Sequence, residues 1–179
     1  TQLVTKGYHF PDLTLVGIID ADLGLEGGDL RAGERTFQQI AQAAGRAGRG
    51  KKAGEVFLQT RNPGHPVIQA LVEGDRDKFY DAEIAMRKRA SSPPFGRFAA
   101  IIISSEEERD AIAVARIVGA SAPEVDGMFV YGPAPAPLAM LRGRHRQRLL
   151  VHAQRSVELQ KILRTWLGEI EFPRNVRIG

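Results

Sequence analysis

The sequence predicts a protein of the α/β class that is divided into two parts. Apolar runs typical of strands alternate with amphipathic helical patterns along the 179 residues. Hydrophobic residues make up 43% of the chain and charged residues 26%, so there is enough apolar surface for a core, and wholesale disorder is excluded. Two prolines and a glycine interrupt the pattern at residues 91–96. We therefore expect the parts to span residues 1–92 and 93–179.

The first part is predicted to begin with a buried parallel strand, since residues 13–19 are almost continuously apolar. A helix is expected over 32–44, because Phe37 and Ile40 have the spacing of one helical face. The remaining elements predicted for this part are a strand at 56–58 and helices at 65–73 and 75–89.

The second part shows the element order β-α-β-β-α-β, the split βαβ pattern of a ferredoxin-like α+β unit. Ser105 and Glu108 have capping-box spacing, which predicts a helix start at Ser105. Phe98, Phe129 and Trp166 are interpreted as core residues. The predicted strands are 98–103, 128–131, 144–152 and 176–178, the helices end near 120 and 170, and 132–137 is expected to be a stiff loop.

Composition excludes several functions. The chain has no cysteine, which rules out disulfides, cysteine-based zinc sites and thiol catalysis, and which fits a cytoplasmic location. It has no apolar run of about 18 residues, so no membrane span is expected. The net charge of +4 and the pI near 9.7 favour polyanionic partners. The first residue is Thr1, and we interpret the chain as a fragment of a longer one.

The segment from Gln42 to Arg49 is the first candidate site. Arg46 and Arg49 lie three residues apart at a predicted helix end, among glycines that allow close backbone approach. Two guanidinium groups on one side suit a polyphosphate, and an arginine at a γ-phosphate stabilises charge in the transition state. The alternative is a basic helix end that complements the helix dipole.

The second candidate site is a series of alternating arginines. Alternate residues of a strand share a face, and no acidic residue separates these positions, so phosphate binding is predicted. The alternative is the solvated face of an edge strand. The arginines are Arg142, Arg144, Arg146 and Arg148.

Residues 42–49 resemble motif VI of superfamily-2 helicases, whose pattern is Gln-x-x-Gly-Arg-x-x-Arg. Residues 1–16 resemble motif V of one family in that superfamily, the PriA family of primosomal replication-restart helicases. Leu3 replaces a methionine of that pattern, and Tyr8 replaces its first histidine. The same family is resembled at residues 20–22, 29–35, 132–137 and 142–146, so the resemblance covers nearly the whole chain.

The resemblance implies a C-terminal fragment of an ATP-dependent 3′-to-5′ DNA helicase that restarts stalled replication forks and helps assemble the primosome. The fold would be the C-terminal part of a RecA-like helicase lobe, followed by a ribosomal-protein-like α+β domain. Arg46 and Arg49 would be catalytic at the γ-phosphate and would bind ATP together with Gln42. The residues expected to contact nucleic acid are Thr1, Gln2, Lys6, Arg142, Arg144, Arg146 and Arg148.

The cofactors implied are ATP and Mg²⁺ in the longer protein, which would also bind zinc through cysteines that this sequence lacks; no metal site is expected here. The sequence has no P-loop pattern, so this chain alone should not hydrolyse ATP. The partners implied are branched or single-stranded DNA, other primosome proteins, and the acidic tail of single-stranded DNA-binding protein near Arg155 and Lys161. The alternatives are a nucleic-acid-binding module without catalysis and another superfamily-2 DNA translocase.

Overall fold

The computed structural model of the protein describes residues 12–25, 29–48 and 52–179. The chain forms two compact units, which we call the first unit, ending at Met86, and the second unit, Arg87–Gly179. Both contain helices and strands, which confirms the predicted α/β class. The boundary at 92/93 and the RecA-like assignment stay predictions. None of the helices in the described ranges is long and apolar enough to cross a membrane.

The first unit is built on two parallel strands joined through a helix. Strand β1 (Leu15–Ile18) pairs with β2 (Glu55–Leu58), with Leu15 opposite Glu55. Helix α1 (Ala32–Ala44) lies between them in sequence, as a parallel pair requires a crossover connection. Helices α2 (Pro66–Glu73) and α3 (Arg76–Arg89) follow.

The core of the first unit lies among its helices. The rings of Phe37 on α1 and Phe79 on α3 stack with centroids 4.3 Å apart. Ile40 and Ile68 form a second buried cluster with Ala21. The prediction that the first strand is buried is wrong, since Ile19 is 85% exposed. Because β1 pairs with a single strand among the described residues, much of its apolar surface meets solvent.

The second unit is one antiparallel sheet covered on one face by two helices. Its elements in chain order are β3 (Gly96–Ser105), α4 (Glu108–Ala120), β4 (Met128–Leu141), β5 (Arg144–Gln154), α5 (Leu159–Gly168) and β6 (Arg177–Ile178). The strand order is β4-β5-β3-β6, which makes β5 an inner strand and β4 an edge. Residues of helices α4 and α5 pack on the sheet around Leu149, Val151 and Trp166.

Helices α4 and α5 both pack on the same face of this sheet. We call the opposite face the open face. Leu149 and Val151 of β5 point into the core, so the residues between them point to the open face. The register places Arg148 opposite Ile102 and His152 opposite both Phe98 and Phe129. The open face comprises Phe98, Ala100, Ile102, Phe129, Tyr131, Arg146, Arg148, Leu150 and His152.

Two local predictions in the second unit are wrong. Helix α4 begins at Glu108 with Glu107 as its N-cap, so Ser105 does not start a capping box. Ser105 is instead the fully buried last residue of β3, and its Oγ accepts a hydrogen bond from Glu107 N at 3.4 Å. Residues 132–137 are not a loop but belong to β4, with two irregularities in its pairing to β5.

Candidate functional site

The motif VI segment begins in the last turn of α1 and continues beyond the end of that helix. Gln42 is exposed in the last turn, and Arg46 is half-buried in the turn beyond it. Gly48 adopts a φ of +72°, and its N–H donates to Leu13 O at 2.8 Å. A Cβ on Gly48 would lie 2.7 Å from Gly54 N, so this glycine is needed for close approach to the backbone before β2.

This geometry brings Gln42 and Arg46 within one turn of each other. The last turn of α1 contains no basic residue, because Arg46 lies beyond it. The catalytic and ATP-binding roles of these residues stay predictions. Arg49, predicted beside them, lies outside the described residues, as do the predicted DNA contacts Thr1, Gln2 and Lys6.

A buried carboxylate joins the ends of the two parallel strands. Asp22 follows β1 and accepts hydrogen bonds from Arg61 N at 2.6 Å and Thr60 Oγ1 at 2.7 Å. The backbone N–H of Arg61, followed by the Thr60 hydroxyl, holds the pKa of Asp22 below its usual range. Both partners follow β2, so Asp22 stabilises the strand ends. In the part of the chain that the structure describes, no cluster of His, Asp or Glu could hold a metal ion.

Replacing Asp22 with asparagine is expected to destabilise the β1–β2 pair more at neutral than at acidic pH. Since folding lowers the pKa of Asp22, its carboxylate stabilises the fold above the unfolded pKa. That contribution disappears as pH falls through the folded pKa. Hydrogen exchange of the Gln59 amide, which donates to Ile18 O, measures the effect at pH 7 and pH 2. The exposed Asp81→Asn variant is the control, and an equal Asp22→Asn effect at both pH values would contradict the prediction.

The arginine series is only partly available to a ligand. Arg142 is not on the strand as predicted; it lies in the two-residue turn between β4 and β5, where Arg142 and Gly143 have φ values of +51° and +73°. Positive φ at both central residues is typical of the tight turns that match strand twist. The other three arginines share the open-face side of β5, as the alternation predicted.

The guanidinium of Arg144 is used in hydrogen bonds within the second unit. Its Nη2 donates to Asn175 O at 2.6 Å and to Ser104 O at 3.0 Å, and its Nη1 contacts Glu106 at 3.2 Å. The side chain is only 14% exposed, and its Nε is buried without a partner. Arg144 therefore links β5 to the end of β3, to Glu106 beyond it and to the segment before β6, and these internal contacts argue against a role in binding phosphate. The reason is its position at the first residue of β5, beside the last residues of β3.

Arg146 and Arg148 remain candidates for a polyanion. Arg146 makes one long hydrogen bond, from Nη1 to Leu138 O at 3.4 Å. Within the described chain, the guanidinium of Arg148 has no hydrogen-bond or ion-pair partner. The edge-strand alternative is wrong, because β5 lies between β4 and β3. Residues 87–179 are described throughout, and none of their four strands contains Asp or Glu.

The sequence pattern did not predict that aromatic side chains are exposed on the open face. Trp166 is buried as predicted, and its Nε1 donates to Ser121 Oγ at 3.0 Å. The core interpretation is wrong for Phe129, which is 57% exposed, and nearby Tyr131 is 53% exposed. His152 stacks on Phe98 with centroids 4.6 Å apart. Alternation along β4 places Phe129 on the face opposite its core neighbours Met128 and Val130.

A separate groove lies beside α5. Its volume is about 520 Å³, and Lys161 and Trp166 contribute to its wall with the acidic residues Glu158 and Glu169. Arg155, the other residue expected to dock an acidic tail, is exposed in the turn after β5. The charges of this groove are therefore mixed.

The second unit corresponds to a known domain. The family described as "Primosomal protein N C-terminal domain" matches residues 88–179. The "Replication restart protein PriA" of Rickettsia conorii is 44% identical over 173 residues, which cover 97% of this chain and 26% of that protein. The proteins of the same name from Treponema pallidum and Bacillus subtilis are 39% and 37% identical, over 99% and 96% of this chain and 27% and 22% of their own lengths.

The chain thus spans about a quarter of the length of these relatives. Their match extends across both units, and the family model alone covers just over half of the chain. The resemblance inferred from the motifs is confirmed. The chain belongs to the primosomal protein N C-terminal domain family, and it corresponds to a C-terminal fragment of the longer PriA proteins.

Proposed function

We propose that this chain is the C-terminal part of an ATP-dependent 3′-to-5′ DNA helicase that restarts stalled replication forks and helps assemble the primosome. The observation that carries the proposal is the match of nearly the whole chain to relatives named replication restart protein PriA. The first unit is then the end of a RecA-like lobe, consistent with its parallel β1-α1-β2 connection. The second is a ferredoxin-like, ribosomal-protein-like domain, consistent with its element and strand order.

In this proposal the nucleotide is held mainly by a P-loop elsewhere in the longer protein, together with Mg²⁺. Hydrolysis of the bound ATP would supply the energy for movement along DNA. Arg46 and Arg49 would contribute positive charge at the γ-phosphate, and Gln42, one helical turn before Arg46, would also bind the nucleotide. Since the present sequence has no P-loop pattern, the chain by itself is proposed to be inactive as an ATPase.

DNA binding is proposed for both units. Motif V would contribute Thr1, Gln2 and Lys6 in the first unit. In the second unit, Arg146 and Arg148 lie on a sheet whose strands contain no carboxylate, which favours an anionic phosphate backbone. The position of Arg146 and Arg148 on a sheet without carboxylates in its strands also favours the other candidate function, a nucleic-acid-binding module without catalysis.

The double variant Arg146→Ala/Arg148→Ala is expected to bind labelled forked DNA more weakly. The salt dependence of that binding should also be reduced. Two lost phosphate contacts should reduce the slope of log K against log salt by about 1.8, at about 0.9 for each contact. Fluorescence anisotropy over a salt series measures both effects. The matched control is Arg109→Ala/Arg116→Ala on α4, which removes the same charge from the helical side of the unit.

An equally reduced slope in the control would show that net charge matters and that these two positions do not. Failure of the unsubstituted chain to bind at low salt would remove DNA from the proposed role of the second unit. The family membership would stand in either case.

Single-stranded DNA-binding protein and other primosome proteins are proposed as further partners. The acidic tail of the former would meet Lys161 and Arg155, although Glu158 and Glu169 in the same groove oppose it. Titration with a short acidic peptide in place of DNA tests this partner, and no binding at low salt would exclude the groove.

A further inference from the structure

We propose that the open face of the second unit binds single-stranded DNA by stacking its unpaired bases on aromatic side chains. The inference rests on the proposed DNA binding and goes beyond it. It assigns a surface, a class of nucleic acid and a mode of contact that phosphate recognition alone does not require.

The first support is the position of the rings. Phe129 and Tyr131 lie two residues apart on β4 and are more than half exposed. His152 of β5 is opposite Phe129, and Phe98 of β3 is opposite His152. The centroids of His152 and Phe129 are 6.4 Å apart. Rings from three adjacent strands therefore form one continuous aromatic surface.

The second support is that part of this surface is fixed before a ligand arrives. The Nε2 atom of His152 is 3.0 Å from Ser91 O, within hydrogen-bond distance, and the imidazole stacks on Phe98 at an angle of 23°. A sheet holds its side chains more firmly than a loop does. A preorganised surface loses less conformational entropy when it binds.

The third support is the charge beside the rings. Going back along β5 from His152, the outward residues are Leu150, Arg148 and Arg146, so an apolar aromatic end adjoins a cationic end. No strand of this sheet contains an acidic residue. Exposed aromatics with neighbouring arginines are typical of surfaces that bind single strands, where bases stack and phosphates pair with cations.

This chemistry favours a single strand over a duplex or a protein partner. A duplex presents phosphates on its outside and keeps its bases stacked inside, so it would use the arginines and leave Phe129 and Tyr131 without a role. An apolar protein surface would use the rings and leave Arg148 without a partner. Single-stranded DNA alone among these uses both halves of the surface.

The test compares three probes on the 179-residue chain: a labelled oligo(dT) of about 15 nucleotides, an abasic strand of the same length, and a duplex. The variant Phe129→Ala/Tyr131→Ala removes two stacking rings, so it should bind oligo(dT) at least about thirtyfold more weakly and change little toward the abasic strand and the duplex. The slope against salt should stay unchanged, because no phosphate contact is removed.

Two further variants separate stacking from folding. Phe129→Leu/Tyr131→Leu keeps apolar bulk without a π-face and should also lose oligo(dT) affinity. Tyr131→Phe keeps the ring and should retain it. The matched control is Phe57→Ala/Tyr80→Ala, which removes one exposed phenylalanine and one exposed tyrosine from the first unit.

The proposal would be overturned by equal binding of oligo(dT) and the abasic strand to the unsubstituted chain, or by an equal loss for both probes in Phe129→Ala/Tyr131→Ala. Either result, with forked DNA still bound through Arg146 and Arg148, removes stacking and leaves the proposed function intact. Failure of the unsubstituted chain to bind forked DNA at all would contradict the DNA-binding role itself.

Discussion

Replacing Leu149 with alanine is expected to lower the free energy of unfolding of the second unit by about 2–5 kcal/mol. Leu149 is fully buried in the middle of β5, in a core cluster to which both helices and both neighbouring strands contribute. Alanine removes the apolar contacts and leaves a cavity. Because β5 is hydrogen-bonded to a strand on each side, its backbone cannot move to fill that cavity. The neighbouring residue Arg148 faces the other way, so Arg148→Ala should affect binding and change stability little.

The single tryptophan of the chain, Trp166, lies buried in the same core. Its fluorescence during urea unfolding therefore reports on the second unit alone. The control is Ile117→Ala on α4, where the side chain is 55% exposed. A shift for Leu149→Ala no larger than that of the control would show that the face assignment of β5 is wrong.

Replacing Arg46 with alanine is expected to reduce ATP hydrolysis about 1000-fold in a protein that also contains the P-loop lobe. The reason is that an arginine at the γ-phosphate stabilises charge that develops in the transition state. On the proposed function the longer relatives contain that lobe, so the test protein is the Bacillus subtilis relative with its matching segment, 22% of its length, replaced by this chain. DNA-stimulated release of phosphate is the measurement, and Arg49→Ala should act similarly.

The control is Arg35→Ala, an exposed arginine on the same helix that pairs with Asp29. An unchanged rate in Arg46→Ala would assign Arg46 to the helix end and remove its catalytic role. A hybrid that binds forked DNA but has no ATPase activity at all would favour the nucleic-acid-binding module over the helicase.

Much of the element order follows from local patterns. Helix α1 has the predicted bounds, because Phe37 and Ile40 set its buried face and Gly45 ends it. The full length of β4 was missed because prolines argue against a strand, whereas an edge strand tolerates them where no ladder hydrogen bond is needed. Ser105 was misread because its spacing to Glu108 fits a cap as well as a buried strand end.

The candidate site was less predictable, since it depends on contacts between distant residues. The alternation placed Arg144 correctly on one face, but its bonds to Ser104 and Asn175 span 40 and 31 residues. Nothing local reveals such partners. Phe129 was misread because apolar residues precede and follow it, so the pattern indicates burial on both faces. Only the pairing of β4 with β5 shows which face remains open.

The prolines of β4 have a consequence for how the protein behaves at high concentration. An exposed sheet edge offers unpaired N–H and C=O groups on which a second chain can add a strand, and aggregation begins in this way. Pro133, Pro135 and Pro137 have no N–H to donate, so three positions along the outer strand are poor templates. The same residues that stiffen β4 therefore discourage a further strand from pairing with this edge. They hinder the growth of a fibril from the β4 side of the sheet.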